Sequence, residues 1–171
     1  SAASDVYKRQ LYGEEPQSRK IAQEIISRRR KTPFRTTGDL NEVLARVVKR
    51  GRLLKTKMRV YQALRIFVND ELYRLYKGLY EALKALKIGG RLVVISYHSL
   101  EERFVKRLSR LPQVEALTKK PLPPSQEEVI RNPRARSAKL RALKKIEDVN
   151  YEDYRRNLWP LVPPFGPGPR E

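Results

Sequence analysis

The 171-residue sequence predicts an α/β protein, and three features carry that expectation. A long apolar stripe at three- and four-residue steps leads into Gly89-Gly90. The run 91–97 that follows is continuously apolar in its middle, as in a strand buried on both faces. A second helical pattern then starts at Ser99. Helix, two-glycine turn, buried strand and helix make one repeat of a doubly wound sheet. Apolar residues at 40% and a length of 171 are enough to bury a core and argue against wholesale disorder.

The elements follow in order. Pro16 opens a helix to residue 31, because its fixed φ suits a first helical turn. Ile21, Ala22, Ile25 and Ile26 share one face, and Arg28-Arg29-Arg30-Lys31 puts cations at the negative end of the helix dipole. Pro33 ends it. Thr36 and Asp39 have capping-box spacing for a second helix, with Leu40, Val43, Leu44, Val47 and Val48 as its stripe. Residues 49–57 read as a basic connection. The long pattern covers 58–86 through Val60, Tyr61, Leu64, Val68, Leu72, Leu75, Leu79, Leu83 and Leu86, with a break expected near Asn69 or Gly78. Gly89-Gly90 is its cap and turn.

Beyond the strand, Ser99 and Glu102 have capping-box spacing, and Phe104, Val105 and Leu108 supply the apolar side of the helix. Residues 113–119 and 137–146 read as strands that pair antiparallel at the sheet edge. Leu140 and Ala142 alternate there against Lys139 and Arg141. Between them lie Pro121, Pro123 and Pro124, one helical turn from Ser125, and Asn132-Pro133. Residues 159–171 hold five of the twelve prolines and read as an extended tail. Residues 1–10 show no initiator Met, signal-peptide pattern or periodicity and read as the edge of a truncated chain.

Composition narrows the function. The formal net charge is +19, from 38 Lys+Arg against 19 Asp+Glu. Residues 19–59 carry a net +11 and residues 131–145 a net +7, so nearly all the excess sits in two windows. Dense cationic runs containing Arg suit a polyanion, nucleic acid first, although solvated faces would have the same composition. No apolar run approaches the roughly 18 residues of a membrane span, so a soluble, cytoplasmic chain is expected. Without cysteine there is no disulfide, thiolate metal site or cysteine nucleophile, and His98 is the only histidine, which excludes a multi-histidine zinc site.

Ligands of doubly wound sheets sit beyond the carboxyl ends of the strands. Ser96, His98 and Ser99 fall at that end. His98 either contacts substrate or is a packed strand-end histidine. Ser99 lacks the Gly-x-Ser-x-Gly setting of a nucleophile and reads as a cap. Glu101 and Glu102 diverge by about 100° on a helix, which argues against a hydrolytic carboxylate pair. Arg65 and Asn69 share a helix face, either solvated or aimed at a cleft. Arg134, Arg136, Lys139 and Arg141 form a second basic cluster after the Asn132-Pro133 turn, either an exposed edge or a cradle for phosphate. The eight glycines build neither G-x-G-x-x-G after a strand nor a P-loop, so no nucleotide cradle is visible.

Four ordered blocks now stand out. They are Tyr12-Gly13-Glu14-Glu15, the stretch from Tyr61-Gln62-Ala63-Leu64-Arg65 to Leu72, the stretch from Gly89-Gly90-Arg91 to Arg103, and Asn132-Pro133-Arg134-Ala135-Arg136 to Arg141. Together they resemble the bacterial small-subunit rRNA (cytosine-N4)-methyltransferases, the RsmH or MraW family, from about residue 12 to 145. The resemblance implies an S-adenosylmethionine-dependent enzyme methylating a cytidine amine of 16S rRNA, built on a Rossmann-like sheet with an inserted helical domain. It implies an unassigned edge at 1–11, part of the insert at 12–57, the C-terminal half of the Rossmann-like domain at 58–146 and a proline-rich tail at 147–171.

The family's glycine-rich cofactor loop precedes the insert and has no counterpart in this sequence. No cofactor, metal or principal catalytic residue is therefore assigned, and this chain alone is expected to be inactive. Two departures are visible: Lys55-Thr56-Lys57-Met58 replaces His-Pro-Ala-Thr, and Tyr97 stands where Phe is usual. The resemblance makes Ser96, His98 and Ser99 candidate walls of a base pocket. Arg28, Arg29, Arg30, Arg65, Asn69, Arg134, Arg136, Lys139 and Arg141 become candidate contacts to 16S rRNA. The alternative is a non-enzymatic basic module that binds RNA or the ribosome.

Overall fold

The computed structural model describes residues 15–163. They form two compact units, one ending at Glu71 and one spanning Leu72–Val162. The division lies after the third helix.

The first unit is helical, with α1 (Ser18–Lys31), α2 (Thr37–Val47) and α3 (Arg50–Val68). The Thr36–Asp39 capping box is present. Thr36 Oγ1 accepts from the Asp39 N–H at 3.3 Å, and Asp39 Oδ2 accepts from the Thr36 N–H at 2.8 Å. The Arg35 N–H, the Thr36 donors and nearby Arg28 hold the Asp39 carboxyl below its ordinary pKa. Ile21, Leu44, Val48 and Val60 form the core, with Ile25, Leu40, Val47, Leu53 and Leu64 packed against it. Ile26, expected on the same face as Ile21, is partly exposed.

Residues 49–57 are not a connection; from Arg50 they are the first turns of α3. Lys, Arg and Leu are good helix formers, and Thr56 and Val60, four apart, both turn inward. Gly51 leaves the helix unbroken, a single glycine costing only about 1 kcal/mol relative to Ala. The buried Glu15 carboxylate accepts from Thr56 Oγ1 at 3.0 Å and from the Gln17 N–H at 3.1 Å, tying the approach to α1 onto α3. Of the two expected break points, Asn69 is the real one. Asp70 adopts φ +51°, in the left-handed region that Asp tolerates better than most residues.

The second unit contains α4 (Glu71–Ala85, beginning one residue earlier), β1 (Arg91–Ser96), α5 (Ser99–Leu108), β2 (Val114–Ala116), α6 (Gln126–Arg131), β3 (Lys139–Lys145) and α7 (Tyr151–Leu158). Short 3-10 turns cover Pro133–Ser137 and Trp159–Leu161. The sheet has order β1-β3-β2, with β3 antiparallel to both neighbours, so β1 and β2 run parallel to each other. Its core joins Leu72, Tyr76, Leu79 and Leu83 of α4, Leu100, Phe104, Val105 and Leu108 of α5, Leu143 of β3, and Tyr154 and Leu158 of α7.

Several expectations change here. β1 is not buried on both faces, since Val93 and Ile95 are 57% and 53% exposed. β3 turns inward the residues opposite to those its apolar alternation suggested: Arg141, Leu143 and Lys145 are buried, while Leu140 and Ala142 are only half-buried. Directly paired residues share a face, and the register sets Arg141 against Val94 and Leu143 against Leu92. The other face, with Val93, Ile95, Ala142 and Leu140, is therefore apolar and open.

Gly89-Gly90 does not cap α4, which ends at Ala85. The Gly90 N–H donates to the Lys87 carbonyl at 2.8 Å and Gly89 has φ +85°, the pattern of a type II turn. Lys145 Nζ, 2.8 Å from the Leu86 carbonyl, serves the end of α4 instead. The strand expected at 113–119 shortens to Val114–Ala116.

The segment assigned to a tail folds back in part. Asn150 Oδ1 caps α7, accepting from the N–H groups of Glu152 and Asp153. Trp159 stands edge-on to Tyr76, with ring centroids 5.5 Å apart, and Val162 is buried. The extended reading of residues 164–171, like the assignments to residues 1–14, lies outside the described residues.

Candidate functional site

β1 delivers the chain to one end of the sheet, where Ser96, Tyr97, His98 and Ser99 lead into α5. His98, not Ser99, is the N-cap. In extended conformation (φ −140°, ψ 163°), it accepts from the Glu101 N–H at Nδ1, 3.4 Å away. Glu101 Oε2 accepts in return from the N–H groups of Tyr97 (2.8 Å) and His98 (3.3 Å). The sequence contains both i, i+3 pairs, and tertiary contact selects between them. Glu102 is unavailable for capping because it faces Arg141: Nε and NH2 of Arg141 each lie 2.8 Å from Glu102 Oε1.

The cap assigns the imidazole tautomer. A neutral ring that accepts at Nδ1 carries its proton on Nε2. Nε2 is buried and has no hydrogen-bond partner, although Glu101 Oε1 lies 3.2 Å away. Ser99 Oγ is also buried without a partner. Burial would raise the Glu101 carboxyl pKa, but the neighbouring imidazole and the two backbone donors outweigh it and hold the value below the ordinary one. Ser96 is buried, its Oγ 3.4 Å from both Glu102 Oε2 and the Lys139 carbonyl.

The register brings the second motif to the same place. Ser96 pairs with Lys139, so the Pro133–Ser137 turn reaches the sheet beside the carboxyl end of β1. Arg134, Arg136 and Lys139 are exposed there. Arg141, assigned with them to an RNA-facing cluster, is buried in its pair with Glu102 and does not present its guanidinium to a phosphate. In the helical unit Arg29 and Arg30 are exposed, whereas Arg28 pairs with Asp39 at 3.4 Å and lies 5.9 Å from the Phe34 ring centroid. Arg65 makes a two-point contact with Glu71 (2.7 and 3.2 Å), and Asn69 Nδ2 reaches the same carboxylate at 3.5 Å.

Sequence reasoning missed the buried charges Glu102 and Lys145. The available signal was the i, i+2, i+4 spacing of Arg141, Leu143 and Lys145, which places them on one strand face. Among the described residues no three His, Cys, Asp or Glu side chains gather as metal ligands, and no helix is long and apolar enough to cross a membrane. Gly89 and Gly90 stand at the amino end of β1, opposite the end where Ser96 and His98 lie, and none of the other described glycines follows a strand.

Residues 5–146 match the MraW methylase family. Among curated relatives, a "Ribosomal RNA small subunit methyltransferase H" from Bradyrhizobium diazoefficiens is 41% identical, the match covering 89% of this chain and 52% of that protein. The protein of the same name from Carboxydothermus hydrogenoformans is 45% identical over 79% of this chain and 50% of its own length. The one from Trichormus variabilis is 47% identical over 83% and 47%. The chain thus spans about half the length of the curated relatives it matches.

Proposed function

The chain belongs to the MraW methylase family, and from that premise we propose that it is the C-terminal part of a methyltransferase acting on N4 of a cytidine in small-subunit rRNA. In this reading the chain positions RNA and forms walls of the base pocket. The methyl donor is S-adenosylmethionine, held by the part of the enzyme this chain does not span. Cytoplasmic location follows from the ribosomal substrate.

The observation that carries the reading is the Ser96–Lys139 pairing. It sets two unspent buried polar atoms beside a turn bearing exposed Arg134 and Arg136. A cytosine offers O2 and N3 as acceptors, and the Nε2–H of His98, which faces Glu101 Oε1 at 3.2 Å, is a donor such an acceptor can share. Ser99 Oγ can donate to the ring or accept from the amine. The amine is a poor nucleophile because its lone pair is delocalised into the ring, so holding it in line matters more here than a strong base. His98 acts in this scheme by shape and donation, since its Nδ1 is committed to the cap. Arg134 and Arg136 would anchor neighbouring phosphates while the base stands out of its stack.

The sheet supports the same reading. Two parallel strands flanking an antiparallel one suit the closing edge of a doubly wound sheet. Among the described residues β1 pairs on one edge only, and the face bearing Val93 and Ile95 lies open, as expected of a sheet that continues into further strands and helices in the parent.

The test is binding of the chain to a single-stranded decoding-region RNA as a function of salt. Replacing Arg134 and Arg136 with Ala should weaken binding and reduce the salt slope by about 1 to 2; an unchanged slope refutes the phosphate role. Calorimetric titration of this chain with S-adenosylmethionine should show no binding, and heat of binding would refute the division of labour.

A further inference from the structure

We infer that Glu102 and Arg141 are positioning residues: their buried ion pair sets where His98 and Ser99 stand. This deepens the base-pocket reading above and rests on it for its functional meaning.

Both side chains are almost entirely buried, so both charges have lost their hydration. An apolar pair of similar volume commonly gives equal or greater stability at such places. What the ion pair supplies instead is a unique arrangement. Arg141 faces α5 only in the observed register of β3, because a slip of one residue would carry it to the open face of the sheet. Glu102 lies one helical turn beyond His98, its N–H donating to the His98 carbonyl at 3.1 Å. The same carboxylate meets Ser96 Oγ at the end of β1. Ser96 and Glu102 therefore bracket residues 97–101, and Arg141 clamps the bracket from β3. Rotating the first turn of α5 would move His98 Nε2 and Ser99 Oγ together.

His98 is the only histidine, so its Cε1–H gives one unambiguous proton resonance. The experiment records that signal and the Glu101 amide in this chain by NMR, for the wild type, Arg141→Met and Arg141→Lys. Arg141→Met, folded by circular dichroism, should shift both signals by more than their linewidths. Arg141→Lys, able to keep one of the two contacts, should return them part of the way. A folded Arg141→Met protein with both signals unmoved overturns the inference and leaves the pair as packing alone. Should Arg141→Met fail to fold, the Glu102→Leu/Arg141→Met double variant removes both charges together. Displaced signals in that protein support positioning, and unmoved ones refute it. The functional reading is tested separately in a full-length relative: wild-type methylation despite a displaced imidazole would sink the base-pocket role of His98 while leaving the positioning effect standing.

Discussion

Lys145 offers a quantitative test of how the sheet is tied to α4. Its side chain is 3% exposed, with Nζ 2.8 Å from the Leu86 carbonyl and 2.9 Å from the carboxylate of Asp148, which is itself 85% exposed. Lys145→Met keeps most of the buried stem and deletes the ammonium. The part-buried Leu86 carbonyl, just past the last turn of α4, then loses a charged donor, a contact worth about 1.5–3 kcal/mol. The exposed Asp148 adds at most about 1 kcal/mol. A net loss of about 2 kcal/mol is expected, less whatever is recovered by no longer burying a charge. With a urea m-value of roughly 2 kcal/mol per molar, the midpoint should fall by roughly 1 M. Lys145→Ala also empties the stem volume and should cost about 2 kcal/mol more. Asp148→Asn is the control and should change stability by less than about 0.5 kcal/mol. A Lys145→Met protein as stable as wild type would refute the carbonyl cap. Equal losses in Lys145→Met and Asp148→Asn would transfer the effect to the surface ion pair.

Other expectations follow from local geometry. The Glu101 carboxyl is held below its ordinary pKa, so its contribution is complete above the unfolded value of about 4.3. That contribution should disappear as pH falls through the depressed value. Glu101→Gln should flatten that acid limb of the stability profile, and an unaltered limb would contradict the cap. Gly78 sits inside α4 with open space around its Cβ position, so Gly78→Ala should raise stability by about 0.5–1 kcal/mol. Gly89 also has space but holds φ +85°, so Gly89→Ala should cost about 1–2 kcal/mol. Thermal melts that moved both variants in the same direction would refute the turn assignment. Thr36→Ala removes the hydroxyl that caps α2 and should cost about 1 kcal/mol in a urea titration.

Legibility in the sequence varied with the range of the interaction concerned. The Thr36–Asp39 box depends on neighbours within a few residues and stands where the sequence puts it, whereas the sequence offered two break points and the structure takes the one at Asn69. The candidate site was legible as a strand end carrying Ser96, His98 and Ser99. Its internal wiring was not. Ser99/Glu102 and His98/Glu101 have identical spacing, and the choice between them rests on Arg141, thirty-nine residues beyond Glu102. Trp159 was read as part of a tail because prolines surround it, whereas its ring finds Tyr73 and Tyr76 only after the chain returns to α4.

By itself, the sequence determined the Thr36–Asp39 box, the helix end before Pro33, the strand after Gly89-Gly90, the two basic windows and the family blocks. Each is encoded by residues close together along the chain or by their order. Tertiary structure alone decided which face of β3 is buried. An alternating strand is read correctly only when its partner is known, and pairing with β1 turned Arg141 and Lys145 inward and left Leu140 and Ala142 half-covered. That same pairing divided the second basic window into exposed and buried cations. Arg134, Arg136 and Lys139 remain open to solvent, while Arg141 and Lys145 spend their charge on Glu102 and the Leu86 carbonyl. A buried cation must find an acceptor, and only the folded chain brings one within reach.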